Sequence, residues 1–358
     1  MNQETTVANI TDTADISDTA PHQAVPPPFA LFQMITGKFV SRAVYAAARL
    51  RLADLLADGP RTAAELAAST GNHAPSLQRL LRALAGLGVF ATVPGGEPRF
   101  ALTPVGELLR DTPGSLRAMA LWICDPRHDR AWDEIFHSLA TGEPGFDQAY
   151  GMPVFDHFAR DPDFAAIFND AMSSLSASTH PAIVAAYDFS GLHLLVDVGG
   201  GHGSLLAGIL AANPGLSGIV YDLPPVIEGT RAALAAAGLE GRCRAEGGSF
   251  FERVPEGADG YILSFVLHDW DDERATAILR NIRQAMSPEG RVLVVEGLIP
   301  EGDEPALSKL SDLEMLVMTT GGRERTAEEF GELFAAAGLR LTRVVPTAGA
   351  AFVLEASI

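Results

Sequence analysis

The sequence is poor in cysteine and in basic residues, and each shortage excludes a class of protein. Its 358 residues include two cysteines, Cys124 and Cys243, too few for a disulfide framework and without the spacing of a cysteine-built zinc site. Against 45 acidic residues there are 26 basic ones, which gives a net charge of −19. Nucleic-acid binding needs clustered lysine and arginine, so this balance counts against it.

Long apolar runs are also missing. No run approaches the roughly 18 residues that a membrane span needs. The N-terminus is polar and acidic, unlike a secretory signal with its basic head and apolar stretch. We therefore expect a cytoplasmic protein that binds a small molecule.

The first third of the chain predicts a disordered tail and a winged-helix domain. Residues 1–27 are rich in Thr, Asp, Ala and Pro and have no apolar periodicity, which is typical of disorder. Within residues 28–114, Thr62 and Glu65 have the spacing of a helix capping box. A second helix and two short strand-like runs, 89–93 and 99–102, follow. The order helix, turn, helix, wing indicates a winged helix.

A winged helix reads DNA in many regulators. The helix that would enter the groove carries Gln78, Arg79 and Arg82 but few other basic residues. We therefore favour a packing role for this domain and keep a ligand-responsive DNA-binding regulator as an alternative.

In the rest of the chain, a helical region is followed by a region in which strand-like and helical runs alternate. Residues 115–185 form a helical linker rich in Trp and Phe, and residues 186–358 alternate strand-like and helical runs. Such alternation favours a parallel sheet with helices on both faces. The strand-like runs are 194–198, 218–223, 260–266, 291–297, 340–345 and 351–355, and the helical runs include 204–212, 226–237, 272–286 and 326–337.

A glycine-rich loop follows the first strand of the alternating region. Gly199, Gly201 and Gly203 leave backbone that a nucleotide-like ligand can approach closely. Asp222 stands 19 residues after Gly203 at the end of the next strand, where a carboxylate can accept hydrogen bonds from both ribose hydroxyls of an adenosine group. Ser204 replaces the third glycine of a dinucleotide fingerprint. Together these features predict an adenosine cofactor.

Three residues near the ends of later segments suggest acid–base chemistry. His268 lies just past an apolar strand, at the edge where open α/β sheets place their sites. Its ordinary pKa near 6.5 suits proton removal at neutral pH. Glu296 ends the next strand, and Glu324 lies in the loop 321–326. If both carboxylates approach the imidazole, they would orient it and stabilise the imidazolium, as the acid of a catalytic triad does.

With these motifs in place, the chain resembles the plant-type, cation-independent O-methyltransferases that use S-adenosylmethionine, in particular bacterial members acting on aromatic natural products. The resemblance extends from Phe29 to the C-terminus. It implies a Rossmann-like, seven-stranded α/β methyltransferase domain preceded by a mainly α winged-helix dimerisation domain. The matching segments, in order, are 196–203, 221–224, 248–255, 267–270 and 321–326.

The resemblance assigns cofactor contacts to residues of these motifs. It implies that Gly199, Gly201 and Gly203 line the methionine and ribose side of S-adenosylmethionine and that Asp222 holds the ribose hydroxyls. The remaining implied contacts are Ser249 and Phe250 in the loop that meets adenine and Ser264 near the methionine end. Family members often carry Asp in place of Ser249, and plant members often carry Lys in place of Ser264; serine can still hydrogen-bond at both positions.

The resemblance also implies the catalytic and acceptor-binding residues. His268 is the general base, with Glu296 and Glu324 on either side of it. The implied acceptor-facing residues are Met172, Met315 and Thr319. No metal is implied, and the expected assembly is a homodimer built by the N-terminal domain.

The predicted reaction is transfer of the methyl group of S-adenosylmethionine to a hydroxyl of a small aromatic or polyketide natural product. The nearest alternative keeps the fold and the cofactor but performs hydroxylation, decarboxylation, or C- or N-methylation. Relatives that hydroxylate or decarboxylate have usually lost the base, whereas His268, Glu296 and Glu324 are all present here; C- or N-methylation stays open.

Overall fold

The computed structural model describes residues 26–358, so the predicted tail, residues 1–27, lies outside the described residues except for its last two. The chain divides into two compact units, one ending at Arg42 and the other running from Ala43 to Ile358. Helix α1 (Pro27–Arg49) begins in the first unit and ends in the second. It starts within the predicted tail because proline is well tolerated in the first turn of a helix. The predicted boundaries near residues 114 and 185 stay predictions.

The described part of the first unit carries large apolar side chains that are exposed. Phe29, Met34 and Phe39 are 60%, 76% and 72% exposed, with Leu31, Phe32 and Ile35 similarly uncovered. Among residues 26–358, no helix combines the length and apolar character that a bilayer crossing requires.

The second unit begins with the winged-helix arrangement. Its three-stranded sheet has the order β1-β3-β2, and the predicted capping box is confirmed, since Thr62 and Glu65 bond reciprocally. On α4, Leu77 is buried in the core while Arg79 and Arg82 are exposed. The elements are α2 (Leu52–Leu55), β1 (Arg61–Thr62), α3 (Ala63–Thr70), α4 (Ala74–Gly86), β2 (Phe90–Val93), β3 (Arg99–Leu102) and α5 (Pro104–Glu107).

Six helices follow, and aromatic residues fill the space between them. Trp122 stacks on Phe164, with ring centroids 4.9 Å apart, and Phe158 stacks on Phe168. The helices are α6 (Arg117–Ile123), α7 (Pro126–Trp132), α8 (Ile135–Thr141), α9 (Gly145–Tyr150), α10 (Val154–Phe158) and α11 (Pro162–Ala186).

A seven-stranded sheet, ordered β6-β5-β4-β7-β8-β10-β9, forms the rest of the unit. Its elements are β4 (Leu194–Val198), α12 (Ser204–Ala212), β5 (Ser217–Asp222), α13 (Pro224–Ala236), β6 (Cys243–Gly247), β7 (Gly260–Ser264), a 3-10 turn (Leu267–Asp269), α14 (Asp272–Ala285), β8 (Arg291–Gly297), α15 (Leu307–Met318), α16 (Ala327–Ala336), β9 (Arg340–Pro346) and β10 (Ala351–Ser357).

The structure corrects the sequence prediction in two places. The parallel sheet that the alternation predicts is confirmed for most strands, but β10 runs antiparallel to both β8 and β9. Only a short turn separates β9 from β10, and antiparallel pairing needs no longer connection, whereas a parallel pair requires a crossover. Strand β6 was absent from the predicted runs because its sequence, CRAEG, is short and has no β-branched or aromatic residue; it is an edge strand paired with β5.

The sheet is covered on both faces. Val196 and Val294 belong to a core cluster with residues of α14 and α16, whereas their neighbours Leu195 and Leu293 belong to a cluster with residues of α11 and α12. Successive side chains of a strand point to opposite faces, so these two clusters lie on the two sides. Because β4, β5, β7 and β8 are parallel, their carboxyl ends meet at one edge of the sheet.

Candidate active site

The glycine loop after β4 has the backbone that its sequence predicted. Gly199, Gly201 and Gly203 have φ angles of 73°, 56° and 78°, in the left-handed region that favours glycine. A Cβ atom on Gly199 would lie 2.9 Å from Cγ2 of Val266, so a side chain is excluded there. A Cβ on Gly201 would meet nothing within 4 Å, so its backbone borders open space that a ligand can enter.

Asp222 lies beside this loop at the end of β5. Its Oδ2 accepts a hydrogen bond from the backbone N–H of Gly201 at 2.8 Å, and its Oδ1 accepts one from Leu223 at 2.6 Å. These bonds fix the carboxylate at the sheet edge next to the bare backbone of the loop. Each oxygen has a further lone pair for a ligand hydroxyl.

The other predicted cofactor residues surround the same loop. Ser264 ends β7, and its hydroxyl is buried without a hydrogen-bond partner in the described part of the chain. The ring of Phe250 would lie 3.7 Å from a Cβ on Gly199, which places it against the glycine loop. The hydroxyl of Ser249 accepts a hydrogen bond from the N–H of Phe251 at 3.3 Å, which orders the start of that segment. An orphaned hydroxyl and bare loop backbone fit a bound polar cofactor.

Asp197 is a site residue to which the sequence analysis gave no role. It lies on β4, 1% exposed, and its Oδ2 has no hydrogen-bond partner among the described residues. Burial, reinforced by the charge of Asp222, raises the pKa of Asp197 to about 7. An acidic residue in an otherwise apolar strand, just before a glycine loop, is the signal that could have identified it.

His268, Glu296 and Glu324 come together, although they belong to three separate segments. The Nδ1 atom of His268 lies 3.2 Å from Oε2 of Glu296 and 3.5 Å from Oε1 of Glu324. On the opposite side of the ring, Nε2 lies 3.6 Å from Oδ1 of Asp269. Burial acts to lower the pKa of His268, but the charges of Glu296, Asp269 and Glu324 outweigh it and raise that pKa. Burial has the opposite effect on the carboxylate of Glu296, whose pKa it raises.

Glu296 holds the histidine through its backbone as well as its ring. Its Oε1 accepts hydrogen bonds from the N–H groups of Leu267 and His268, at 3.0 and 3.3 Å. Its Oε2 remains for the imidazole. Phe265, just before this segment, has a φ of 53°, a left-handed conformation that is rare for a bulky residue.

The loop 319–326 packs against the His268 segment. The N–H of Arg323 donates to the carbonyl of His268 at 2.8 Å. Arg325, 1% exposed, donates to the carbonyls of Leu267 and Trp270 at 3.0 and 2.8 Å. Its guanidinium also bonds Oδ1 of Asp272, at the start of α14. The sequence analysis missed Arg325, because a lone arginine in a polar loop gives no sign of burial.

Of the predicted acceptor-binding residues, Thr319 lies beside the His268 segment and Met172 lies in the helical region. Thr319 is buried, and its hydroxyl donates to the carbonyl of Met315 at 2.8 Å, closing the end of α15. A Cβ on Gly322 would meet both Thr319 and the carbonyl of His268, so Thr319 lies beside the His268 segment. Met172, on α11, packs against the aromatic cluster of the helical region.

Glu314, next to Met315, was also missed by the sequence analysis. Its two carboxylate oxygens contact Nε2 of His128 and Nε1 of Trp132, both at 2.7 Å. These contacts tie α15 to α7. The sequence could not have identified them, because the partners are more than 180 residues away along the chain.

The described residues contain one set of side chains whose geometry also suits a cation. One ligand atom each from His268, Glu296 and Glu324 lies within 4.8 Å of the others. The predicted independence of catalysis from metal stays a prediction.

Comparison with known proteins shows the family to which the chain belongs. A family model for the O-methyltransferase domain matches residues 132–340, more than half of the chain, and one for the O-methyltransferase dimerisation domain matches residues 32–112. The phenazine O-methyltransferase PhzM of Lysobacter antibioticus is 45% identical over 93% of this chain and 97% of its own. The 8-amino-8-demethylriboflavin N,N-dimethyltransferase of Streptomyces davaonensis is 38% identical over 91% and 94%.

A solved structure extends the comparison. The O-methyltransferase NcsB1 of neocarzinostatin biosynthesis, in complex with S-adenosylmethionine and 2-hydroxy-5-methyl naphthoic acid, superposes with a TM-score of 0.74 and 40% identity, covering 89% of this chain and 95% of that one. The match spans most of the chain rather than a single motif. The chain therefore belongs to the plant-type, S-adenosylmethionine-dependent O-methyltransferase family and is a methyltransferase.

Proposed function

We propose that this methyltransferase transfers the methyl group of S-adenosylmethionine to a hydroxyl of a small aromatic natural product, with His268 as general base. One observation carries the proposal: Nδ1 of His268 faces two buried carboxylates, of Glu296 and Glu324, at 3.2 and 3.5 Å. A proton on Nδ1 is stabilised by these charges, which leaves the lone pair of Nε2 to accept a proton. This is the arrangement of a histidine base oriented by acids.

The residues at the glycine loop fit the cofactor. Asp222 would accept the ribose hydroxyls, and Gly199, Gly201 and Gly203 would leave room for the ligand beside the backbone. Ser249, Phe250 and Ser264 would complete the pocket. When bound, the cofactor supplies an electrophilic methyl group on a positively charged sulfur.

The chain's own residues position the acceptor and take up its proton. A phenol has a pKa near 10 and is a poor nucleophile while protonated. The nearby carboxylates raise the pKa of His268, which reduces the difference in pKa between the imidazole and a phenol. General-base help is worth about 10²–10⁴-fold, whereas correct orientation supplies ~7–11 kcal/mol, so positioning by the pocket outweighs the base. Since the base must be neutral to accept a proton, turnover should rise as the pH increases toward the raised pKa of His268, about 10.

The pocket and the assembly follow from other parts of the chain. Met172, Met315 and Thr319 would face the acceptor, because α11 and α15 both contribute to the aromatic cluster of the helical region. The exposed apolar side chains of α1, among them Phe29 and Phe39, would be covered in a homodimer. Both cysteines are buried and neither forms a disulfide among the described residues, as expected of an enzyme of the cytoplasm.

N-methylation is the second candidate, because a relative 38% identical is an N,N-dimethyltransferase. An acceptor that distinguishes the two reactions carries a hydroxyl and an amino group on one ring, as 3-amino-4-hydroxybenzoate does. Incubation with S-adenosylmethionine, followed by mass spectrometry and NMR of the product, tells whether oxygen or nitrogen gains the methyl group. We expect the O-methyl product from this compound or from phenolic phenazines and naphthoates tested beside it.

The role of His268 is tested by His268→Ala. We expect turnover to fall about 10²–10⁴-fold while affinity for S-adenosylmethionine, measured by titration calorimetry, changes less than about twofold. Turnover that survives together with a loss of cofactor affinity would contradict the assignment. Failure of the wild-type chain to bind either S-adenosylmethionine or S-adenosylhomocysteine would contradict the whole proposal.

A further inference from the structure

We propose that His268, Glu296 and Glu324 form a binding site for Zn²⁺, and that an ion bound there switches the enzyme off. The site is built from the residues that the preceding section assigns to proton transfer, so the inhibitory effect rests on that function. Binding of the ion itself does not depend on that function.

The two distances from the imidazole nitrogen to the carboxylates match zinc geometry. Zinc ligands lie about 2.0–2.2 Å from the ion in a tetrahedron, so neighbouring ligand atoms are separated by about 3.4 Å. Nδ1 of His268 lies 3.2 Å from Oε2 of Glu296 and 3.5 Å from Oε1 of Glu324. All three donors fall within 4.8 Å of one another.

The three side chains are largely buried, and each has an atom without a hydrogen-bond partner. Among the described residues, Nδ1 of His268 and the Oε2 atoms of Glu296 and Glu324 have no hydrogen-bond partner. Glu296 is 0% exposed and Glu324 is 6% exposed. A buried carboxylate oxygen without a hydrogen bond is unfavourable, and a cation bound to these oxygens would relieve that cost.

The chemistry of the set favours zinc over magnesium or calcium. Magnesium and calcium take oxygen ligands, whereas an imidazole nitrogen with two carboxylates suits zinc and leaves a fourth position open. The second nitrogen of the ring also has a carboxylate nearby, since Nε2 lies 3.6 Å from Oδ1 of Asp269. A carboxylate at the outer nitrogen of a metal-bound histidine fixes the ring and strengthens the ligand.

An ion on Nδ1 would remove the base by changing the tautomer. A neutral imidazole carries one proton; in the proposed catalytic form it sits on Nδ1, and Nε2 has the free lone pair. If the ion takes the lone pair of Nδ1, the proton must sit on Nε2. His268 could then donate a hydrogen bond to Asp269 but could no longer accept the proton of an acceptor hydroxyl.

The test is direct binding of metal to the full, tag-free chain. Titration calorimetry with ZnCl₂ should show one tight site per chain, and CoCl₂ should give the strong visible absorption of tetrahedral Co²⁺ coordinated by nitrogen and oxygen. His268→Ala and Glu324→Gln should each weaken Zn²⁺ binding by about 100-fold or more, and Asp269→Asn by about 10-fold. Circular dichroism confirms that each variant is folded.

His193→Ala is the matched control. His193 also pairs with a carboxylate, since its Nδ1 lies 2.9 Å from Oδ2 of Asp259, but its side chain is 91% exposed. We expect this variant to bind Zn²⁺ within about twofold of wild type. Zn²⁺ affinity that is lost in His193→Ala, or that stays unchanged in both His268→Ala and Glu324→Gln, would overturn the site.

Activity provides a separate readout. We expect a chelator to leave methyl transfer unchanged and Zn²⁺ to abolish it in proportion to occupancy of the calorimetric site. Turnover that persists with the site saturated would overturn the inhibitory role. If no acceptor is methylated under any condition, the proposed function fails, and the calorimetric result on zinc still stands on its own.

Discussion

Replacing Glu296 by Gln should disable His268 while leaving its position unchanged. The buried Oε1 of Glu296 accepts hydrogen bonds from two backbone N–H groups, of Leu267 and His268. The amide oxygen of Gln can keep both, so its NH₂ group must occupy the position of Oε2, 3.2 Å from Nδ1 of His268. An NH₂ group donates and cannot accept. It therefore favours the tautomer with the proton on Nε2, and the base loses its lone pair.

The size of the effect depends on Glu324. Its Oε1, 3.5 Å from Nδ1, can still accept a proton from that nitrogen and partly preserve the active tautomer. We therefore expect kcat to fall about 10²–10³-fold for Glu296→Gln, which is about 3–4 kcal/mol of transition-state stabilisation. Adding Glu324→Gln should take the loss to about 10⁴-fold, the value known for the wrong tautomer in a Ser-His-Asp triad.

The assay is single-turnover methyl transfer at saturating S-adenosylmethionine, followed by mass spectrometry. Glu328→Gln is the control, since it makes the same change of charge on an exposed residue and should keep kcat within about twofold. Cofactor affinity should be unchanged in all variants. The thermal midpoint of Glu296→Gln should be unchanged or higher, because a buried charge is removed. A kcat above about one tenth of wild type in the double variant would refute the tautomer argument.

Three further perturbations test other parts of the structure. Arg325→Met leaves two backbone carbonyls of the His268 segment unsatisfied, so urea denaturation should show a loss of about 2–6 kcal/mol, and a loss below about 1 kcal/mol would contradict its role. Burial raises the pKa of Asp197 from 3.8 to about 7, so the folded state holds a proton that the unfolded chain releases, and stability falls as pH rises through this window. Asp197→Asn should therefore gain in thermal midpoint over wild type at about pH 8 but little at about pH 4, and equal gains at both would exclude this cause. Gly199→Ala places a Cβ 2.9 Å from Val266 at a φ of 73°, so calorimetry should show at least about tenfold weaker cofactor binding.

Much of the sheet could be predicted because its signals are local. The strand 291–297 and the helix 204–212 have the bounds that their apolar patterns indicate. The capping box of Thr62 and Glu65 also depends only on a spacing of three residues. Strand β6 escaped prediction because its five residues include no β-branched or aromatic side chain, and pairing with β5 is what makes it a strand.

The candidate site divides in the same way. His268 and Glu296 were found because each follows or ends an apolar strand, and parallel strands bring their carboxyl ends to one edge. Glu314 and Arg325 were missed because nothing near them in sequence distinguishes them from solvated charges. Their partners lie on other helices and segments, so their burial and hydrogen bonds exist only once the chain is folded.

The sequence by itself determined most strands and helices of the sheet, the glycine loop with Asp222, and the family to which the chain belongs. These depend on periodicity, on backbone freedom at glycine and on spacing, all of which are properties of short segments. Only the tertiary structure decided that β10 runs antiparallel, that Arg325 is buried, and that Nδ1 of His268 faces Glu296 and Glu324. Which atoms meet across 28 or more residues depends on how sheet, helices and loops pack together, and no local pattern records that packing.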